Sequence, residues 1–171
     1  MASGDSLFEL RPQSATPPGA SAAQHDTVAG ASTPAETLPV IAFDAGADEY
    51  MDWYLTMPEH YDGGGITVKV EMQMASATSG GVRPEIALRE RATTDDWDTT
   101  AHTYDFNGVT VTAPGTLGQS VIGTITFTDG ADMDNVGAGD PFVLRLWRNY
   151  GHAGDDASGD ALLERIYAIE T

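Results

Sequence analysis

The sequence predicts an all-β fold: a jelly-roll-like antiparallel β-sandwich of about eight strands over residues 38–171, with an extended N-terminal arm over 1–37. Three observations predict it. Apolar residues recur at every second position in short runs, the period that puts them on one side of a strand. Clusters of Gly, Pro and Asp separate the runs and turn the chain. No segment sustains the 3.6-residue period of an amphipathic helix; the nearest is 161–168, at the end of an all-β pattern. Several connections run to about 10–15 residues. Hairpin loops run to about 2–5, so two packed sheets are favoured over a tight meander.

The elements follow in order. Residues 1–37 are rich in Ala, Ser and Thr and are broken by Pro12, Pro17, Pro18 and Pro34. Leu7-Phe8-Glu9-Leu10, closed by Arg11-Pro12, can form a short strand across 6–11. Residues 13–37 carry too few apolar side chains to offset their ordering entropy. They read as a linker, or as a segment ordered against a neighbouring subunit. Leu38 to Phe43 is an apolar run, and Met51, Trp53, Leu55 and Met57 alternate with polar positions up to Pro58. Asp62-Gly63-Gly64-Gly65 reads as a hairpin turn. The clearest strand follows, with Ile66, Val68, Val70, Met72 and Met74 on one face and Thr67, Lys69, Glu71 and Gln73 on the other. In 82–91, Ile86 and Leu88 face inward, Arg83, Glu85, Arg89 and Arg91 face outward, and Pro84 marks an edge or bulge. Residues 92–106 read as a polar loop. Val109 and Val111, then Val121, Ile125 and Phe127, then Phe142, Leu144 and Leu146 mark three more strands. The last strand, 161–169, has an ambiguous facing: Leu163, Tyr167 and Ile169 compete with Leu162, Ile166 and Ala168.

Charge excludes whole classes of partner. The chain has 26 acidic residues against 8 basic ones, a formal net charge of -18. There is one lysine, Lys69, and the seven arginines are scattered, so no basic patch exists to hold nucleic acid or an anionic membrane. No apolar stretch approaches the length of a membrane span, and no basic and apolar leader pattern opens the sequence. With no cysteine, disulfides and thiol chemistry are excluded. The acidic balance suits high salt, and equally a merely soluble surface.

The chemistry-bearing residues form no catalytic pattern. His25, His60, His102 and His152 have no metal-ligand spacing, no Gly-x-Ser-x-Gly elbow is present, and no carboxylate pair stands out. The chain does not read as an enzyme, and no cofactor is expected. Asp129, Asp132, Asp134 and Asp140 share one loop, Asp155, Asp156 and Asp160 a second, and Asp44, Asp48, Glu49 and Asp52 a third. Oxygen-rich loops suit Ca²⁺, but the EF-hand register fails, and so acidic a chain clusters aspartates without any metal. Tyr50, Tyr54 and Trp147 fall on the face opposite the main apolar set. Outward aromatics either stack sugars or are covered by another subunit.

Several stretches carry a resemblance. Met1-Ala-Ser-Gly-Asp-Ser-Leu-Phe-Glu-Leu-Arg-Pro12, Ile41-Ala-Phe-Asp-Ala-Gly-Ala-Asp48, Met57-Pro-Glu-His-Tyr-Asp-Gly-Gly-Gly-Ile-Thr-Val68, Ser76-Ala-Thr-Ser-Gly80 and Ile125-Thr-Phe-Thr-Asp-Gly-Ala-Asp-Met133 resemble a group of small virion proteins of tailed bacteriophages and prophages. The Pro/Ala-rich 13–37 is longer than the corresponding segment expected there. The resemblance implies a jelly-roll capsid decoration (cement) protein. It would sit as a homotrimer on the outer surface of the phage head, bound to the major capsid protein. Contacts to shell and neighbours would then fall on Leu7, Phe8 and Leu10 of the arm and on Tyr54 and Trp147 of the body. The alternative is a tail-fibre or receptor-binding jelly roll that recognises host surface glycan through Trp97, Tyr104 or the acidic loops.

Overall fold

A computed structural model describes residues 4–99 and 101–171. Twelve strands follow one another: β1 Ser6–Leu10, β2 Gln24–Ala29, β3 Thr37–Phe43, β4 Glu49–Thr56, β5 Ile66–Met74, β6 Gly81–Val82, β7 Pro84–Glu90, β8 Asn107–Gly108, β9 Val111–Thr112, β10 Val121–Phe127, β11 Pro141–Arg148 and β12 Ala161–Glu170. Single 3₁₀ turns lie at Pro12–Ser14 and Ala131–Met133. One sheet has the order β10-β5-β12-β3-β2, with β1 also paired to β12; a second has the order β4-β11-β7-β8; β6 and β9 form a third, two-stranded ladder. All pairings between these strands are antiparallel. The architecture is the all-β, jelly-roll-like sandwich that the alternation implies.

The core lies between the sheets. Ile66, Val68, Val70, Met72 and Met74 from β5 are buried opposite Met51 and Trp53 of β4, Phe142, Leu144 and Leu146 of β11, and Ile86 and Leu88 of β7. The two faces of β5 are those its alternation assigns. In β12 the ambiguity has a physical source. The register against β5 shifts between Leu163 and Arg165, a bulge that adds one residue and flips the facing. Ala161 and Leu163 point into the core before it, Ile166 and Ala168 after it.

Residues 1–37 differ from the expected free arm. The strand at 6–11 corresponds to β1, which lies against the second half of β12. Thr16 exchanges two backbone hydrogen bonds with Asp52, the Tyr50 N–H donates to the Ser21 carbonyl, and the Tyr50 carbonyl accepts from the Ala23 N–H. β2 then pairs with all of β3 from Thr37 to Ala42. The main chain is satisfied by pairing with a sheet edge, which needs few apolar side chains, so composition alone reads the segment as a linker. The pairing of β3 with β12 is limited to Ile41–Phe43. The outer half of the β2–β3 hairpin therefore extends beyond the sheet.

The glycine turn also differs. β4 and β5 belong to different sheets, so Asp62–Gly65 carries the chain from one layer to the other and is not a hairpin. Gly65 is required there: its φ is +88°, and a Cβ would lie 2.6 Å from the Phe127 carbonyl oxygen.

Candidate functional site

The outer face of β4, β11 and β7 carries a grid set by register. Tyr50, Trp147 and Glu85 form one row, Asp52, Arg145 and Ala87 the next, and Tyr54, Val143 and Arg89 the third. Residues 92–99 and 101–106 form a loop that lies across this face, through Trp97, His102, Tyr104 and Phe106. Ala87 and Val143 are therefore buried, and Arg89, expected to point into solvent, is only 4% exposed.

The rings make two clusters along the face, bridged by arginines. Tyr50 stacks on Trp147 with centroids 5.5 Å apart, Trp147 meets Phe106 edge-on at 5.2 Å, and Phe106 lies 6.0 Å from Tyr104. Beyond them Tyr54 and Trp97 pack at 5.9 Å, and Trp97 meets His102 at 5.9 Å. Tyr54 is 47% and Trp97 45% exposed, so the face is open at this end. Guanidinium groups lie between the rings. Arg145 sits 4.2 Å from the Tyr104 centroid, and Trp97 has Arg89 at 5.1 Å and Arg91 at 5.3 Å.

Ion pairs fix two of these arginines, Arg145 and Arg89. Arg145 donates from Nε and Nη2 to the two oxygens of Asp52, both at 2.7 Å. That bidentate bond raises the Arg145 pKa against the opposing effect of burial. Burial likewise works against the Arg89 charge, but Asp95, at 2.7 Å from Nη1, and Tyr104 outweigh it and raise its pKa. Burial and the nearby Asp52 carboxylate raise the Tyr54 phenol, which stays protonated as a donor at neutral pH. Arg91 alone among the arginines has no ion pair among the described residues.

The structure divides the sequence candidates. Tyr54 and Trp147 lie on this face, joined by Trp97 and Tyr104. Leu7, Phe8 and Leu10 do not. Leu7 and Leu10 are buried in the chain's own core, and the Phe8 ring lies 5.8 Å from that of Phe142. A bulge between Ser6 and Phe8 turns all three inward. The sequence pattern does not mark Arg145 or Phe106, and it offers Asp52 and His102 only as metal-ligand candidates and Arg89 only by its facing. Their signal lies in the cross-strand register and in the path of 92–106, neither of which the sequence states.

The acidic loops serve the backbone. Asp132 accepts from the Thr128 N–H, Asp140 from Gly137, Asp44 from Gly46, Asp156 from Gly81 and Asp155 from Arg83. Among the described residues no group of three or more His, Asp or Glu side chains is placed to hold a metal.

Neither a protein-family model nor a curated protein sequence matches the chain. Solved structures do. The CBM22-1 xylan-binding domain of Xyn10C from Paenibacillus barcinonensis matches with a TM-score of 0.55 at 14% identity, covering 100% of this chain and 98% of that one. The family 11 carbohydrate-binding module of Clostridium thermocellum, solved with a mixed-linked tetrasaccharide, has a TM-score of 0.49 at 10% identity, with 100% and 98% covered. The C-terminal CBM6 of LamC, a marine laminarinase from Zobellia galactanivorans, has a TM-score of 0.47 at 10% identity, with 95% and 98% covered. The first of these establishes the fold class: a jelly-roll-like β-sandwich, as in that domain.

Proposed function

We propose that the protein is a non-catalytic carbohydrate-binding module, with its sugar site on the outer face of β4, β11 and β7. One observation carries the reading: the aromatic face with Tyr54 and Trp97 half-exposed at its open end. A sugar ring presents an apolar C–H face that packs on an aromatic ring, while its hydroxyls need donors and acceptors at the rim. Tyr54, Arg91 and Asp95 provide these around Trp97. The xylan-binding relative supports the fold and does not identify a sugar.

Polysaccharide affinity electrophoresis tests the reading. Retardation by at least one plant, algal or bacterial polysaccharide is expected. Each of Trp97→Ala and Tyr54→Ala should weaken it about fivefold, the equivalent of about 1 kcal/mol per ring. No retardation on any polysaccharide, or retardation unchanged in both variants, contradicts it.

A second reading is a virion decoration protein, a homotrimer bound to the major capsid protein on the outside of a phage head. The overhanging β2–β3 hairpin and the free main-chain edge of β2 favour it, since such an edge accepts a strand from a neighbour. The packing of Leu7, Phe8 and Leu10 into the chain's own core weighs against the contacts it expects from the arm. Purified protein that stays monomeric and does not attach to phage heads would exclude it.

A further inference from the structure

Buried polar atoms without partners gather in one place. Among the described residues they are Nε and Nη2 of Arg89, Nε2 of His102 and Oε2 of Glu170. Three of these four lie where β7 meets the 92–106 segment. A buried donor with no acceptor gives up its hydration without replacement, the more so when charged, so such groups are rarely left together without a reason.

Their chemistry is uniform. Arg89 Nη1 is occupied by Asp95, the Glu90 carbonyl and His102 Nδ1 at 2.7, 3.1 and 3.3 Å. Accepting at Nδ1 places the neutral imidazole's proton on Nε2. All three unpaired atoms are then N–H donors. Nε and Nη2 form one edge of the guanidinium, with parallel N–H bonds that match the two oxygens of a carboxylate. The same chain shows that edge paired twice. Arg145 uses it on Asp52, and Arg148 uses it on Asp155. In Arg89, whose side chain is 5% exposed, Asp95 takes Nη1 instead, and no acceptor meets Nε or Nη2 at full hydrogen-bond geometry, the Tyr104 hydroxyl being the nearest group that supports the charge.

We propose that the Nε/Nη2 edge of Arg89 receives a carboxylate from the ligand, so that the sugar recognised on this face is a uronate. The inference rests on the carbohydrate reading and deepens it. Trp97 covers the guanidinium, so entry of the carboxylate requires its ring to move. Arg91, on the same ring, adds a second positive charge at the rim. Asp95 bonds Nη1 and so leaves the Nε/Nη2 edge free for a second carboxylate, whose repulsion from Asp95 the charge of Arg91 offsets, while Asp52 is neutralised by Arg145. A neutral sugar offers only single hydroxyl acceptors, without the charge and the paired oxygens of a carboxylate, and that difference gives the discrimination.

The test is a titration of the full chain with trigalacturonate and with its methyl ester, read at the Arg89 Nε–H resonance. The acid should shift that resonance and bind at least tenfold more tightly than the ester. Arg89→Gln should remove the preference and Arg89→Lys should not restore it, with the Trp53 indole signal reporting that both variants remain folded. An Arg89 resonance unmoved at saturating trigalacturonate, or equal affinity for acid and ester, overturns the proposal. If neutral oligosaccharides shift Trp97 while Arg89 stays silent, the uronate inference fails and the carbohydrate reading stands. If Arg89 responds to free glucuronate but no oligosaccharide shifts Trp97, the carbohydrate reading fails and the uronate glycan with it.

Discussion

Asp52 and Arg145 show how one cross-strand pair fixes the character of a whole face. Alternation already places Tyr50, Asp52 and Tyr54 on one side of β4. That Arg145 stands opposite Asp52 follows only from the register of two strands more than 90 residues apart, which no local pattern states. Asp52 is 3% exposed, so removing it would strand Arg145 beside Tyr104 with no counter-charge. Asp52→Ala should cost about 2–4 kcal/mol, at the lower side of the range for broken buried pairs because Arg145 is partly exposed. Urea unfolding measures it, and a loss under about 0.5 kcal/mol would show that the pair does not hold the face. Arg89 taught the opposite lesson. Its outward position was legible in the alternation of 82–91, but its burial was not. Burial comes from 92–106, a segment whose polarity reads as solvated and whose path depends on rings meeting rings.

Elements were legible where a strand is regular and illegible where the backbone departs from period two. β5 could be assigned both faces directly. β12 could not, because the bulge after Leu163 breaks its parity. Composition does not reveal the order in 13–37 for a related reason: edge pairing orders a chain through its N–H and C=O groups, which side-chain content does not report. β1 is therefore part of the core, and Leu10→Ala should cost about 2–5 kcal/mol in thermal or urea unfolding, as deep leucine truncations do. A cost near zero would restore the picture of a detachable arm. The acidic loop 151–160 is held by Arg148, which is 2% exposed and donates to Asp155 and to the carbonyls of Phe43, Ala157 and Gly159. Arg148→Ala leaves Asp155 buried without a counter-charge and three carbonyls without their donor. A loss of about 3–5 kcal/mol is expected, and a fully stable variant would refute this role.

For the whole molecule, the charge of -18 and the distribution of carboxylates act in different ways. Many aspartates stabilise turns by accepting backbone N–H bonds, which is why the acidic clusters coincide with loops. Their summed repulsion opposes compaction at low ionic strength. Raising NaCl from 0.05 to 1 M shortens the screening length to about 3 Å. Tm should rise by about 2–4 °C for each kcal/mol of repulsion relieved in a domain of this size. A fall in Tm over that range would mean that the surface ion pairs outweigh the repulsion. On this scale the sandwich was legible from alternation and turns alone. The binding face was legible only in part, through Tyr54, Trp97, Tyr104 and Trp147, because fold class does not fix function.

The three tryptophans offer the most direct measurement. Trp53 is buried, with its indole N–H bonded to the Arg11 carbonyl at 3.2 Å on the core side of β4, while Trp97 and Trp147 lie on the outer face. In a titration with neutral and acidic oligosaccharides, followed by the indole N–H resonances, Trp97 should shift most, Trp147 less, and Trp53 not at all. Saturating oligosaccharide that leaves Trp97 and Trp147 unmoved would contradict the assignment of this face as a sugar site.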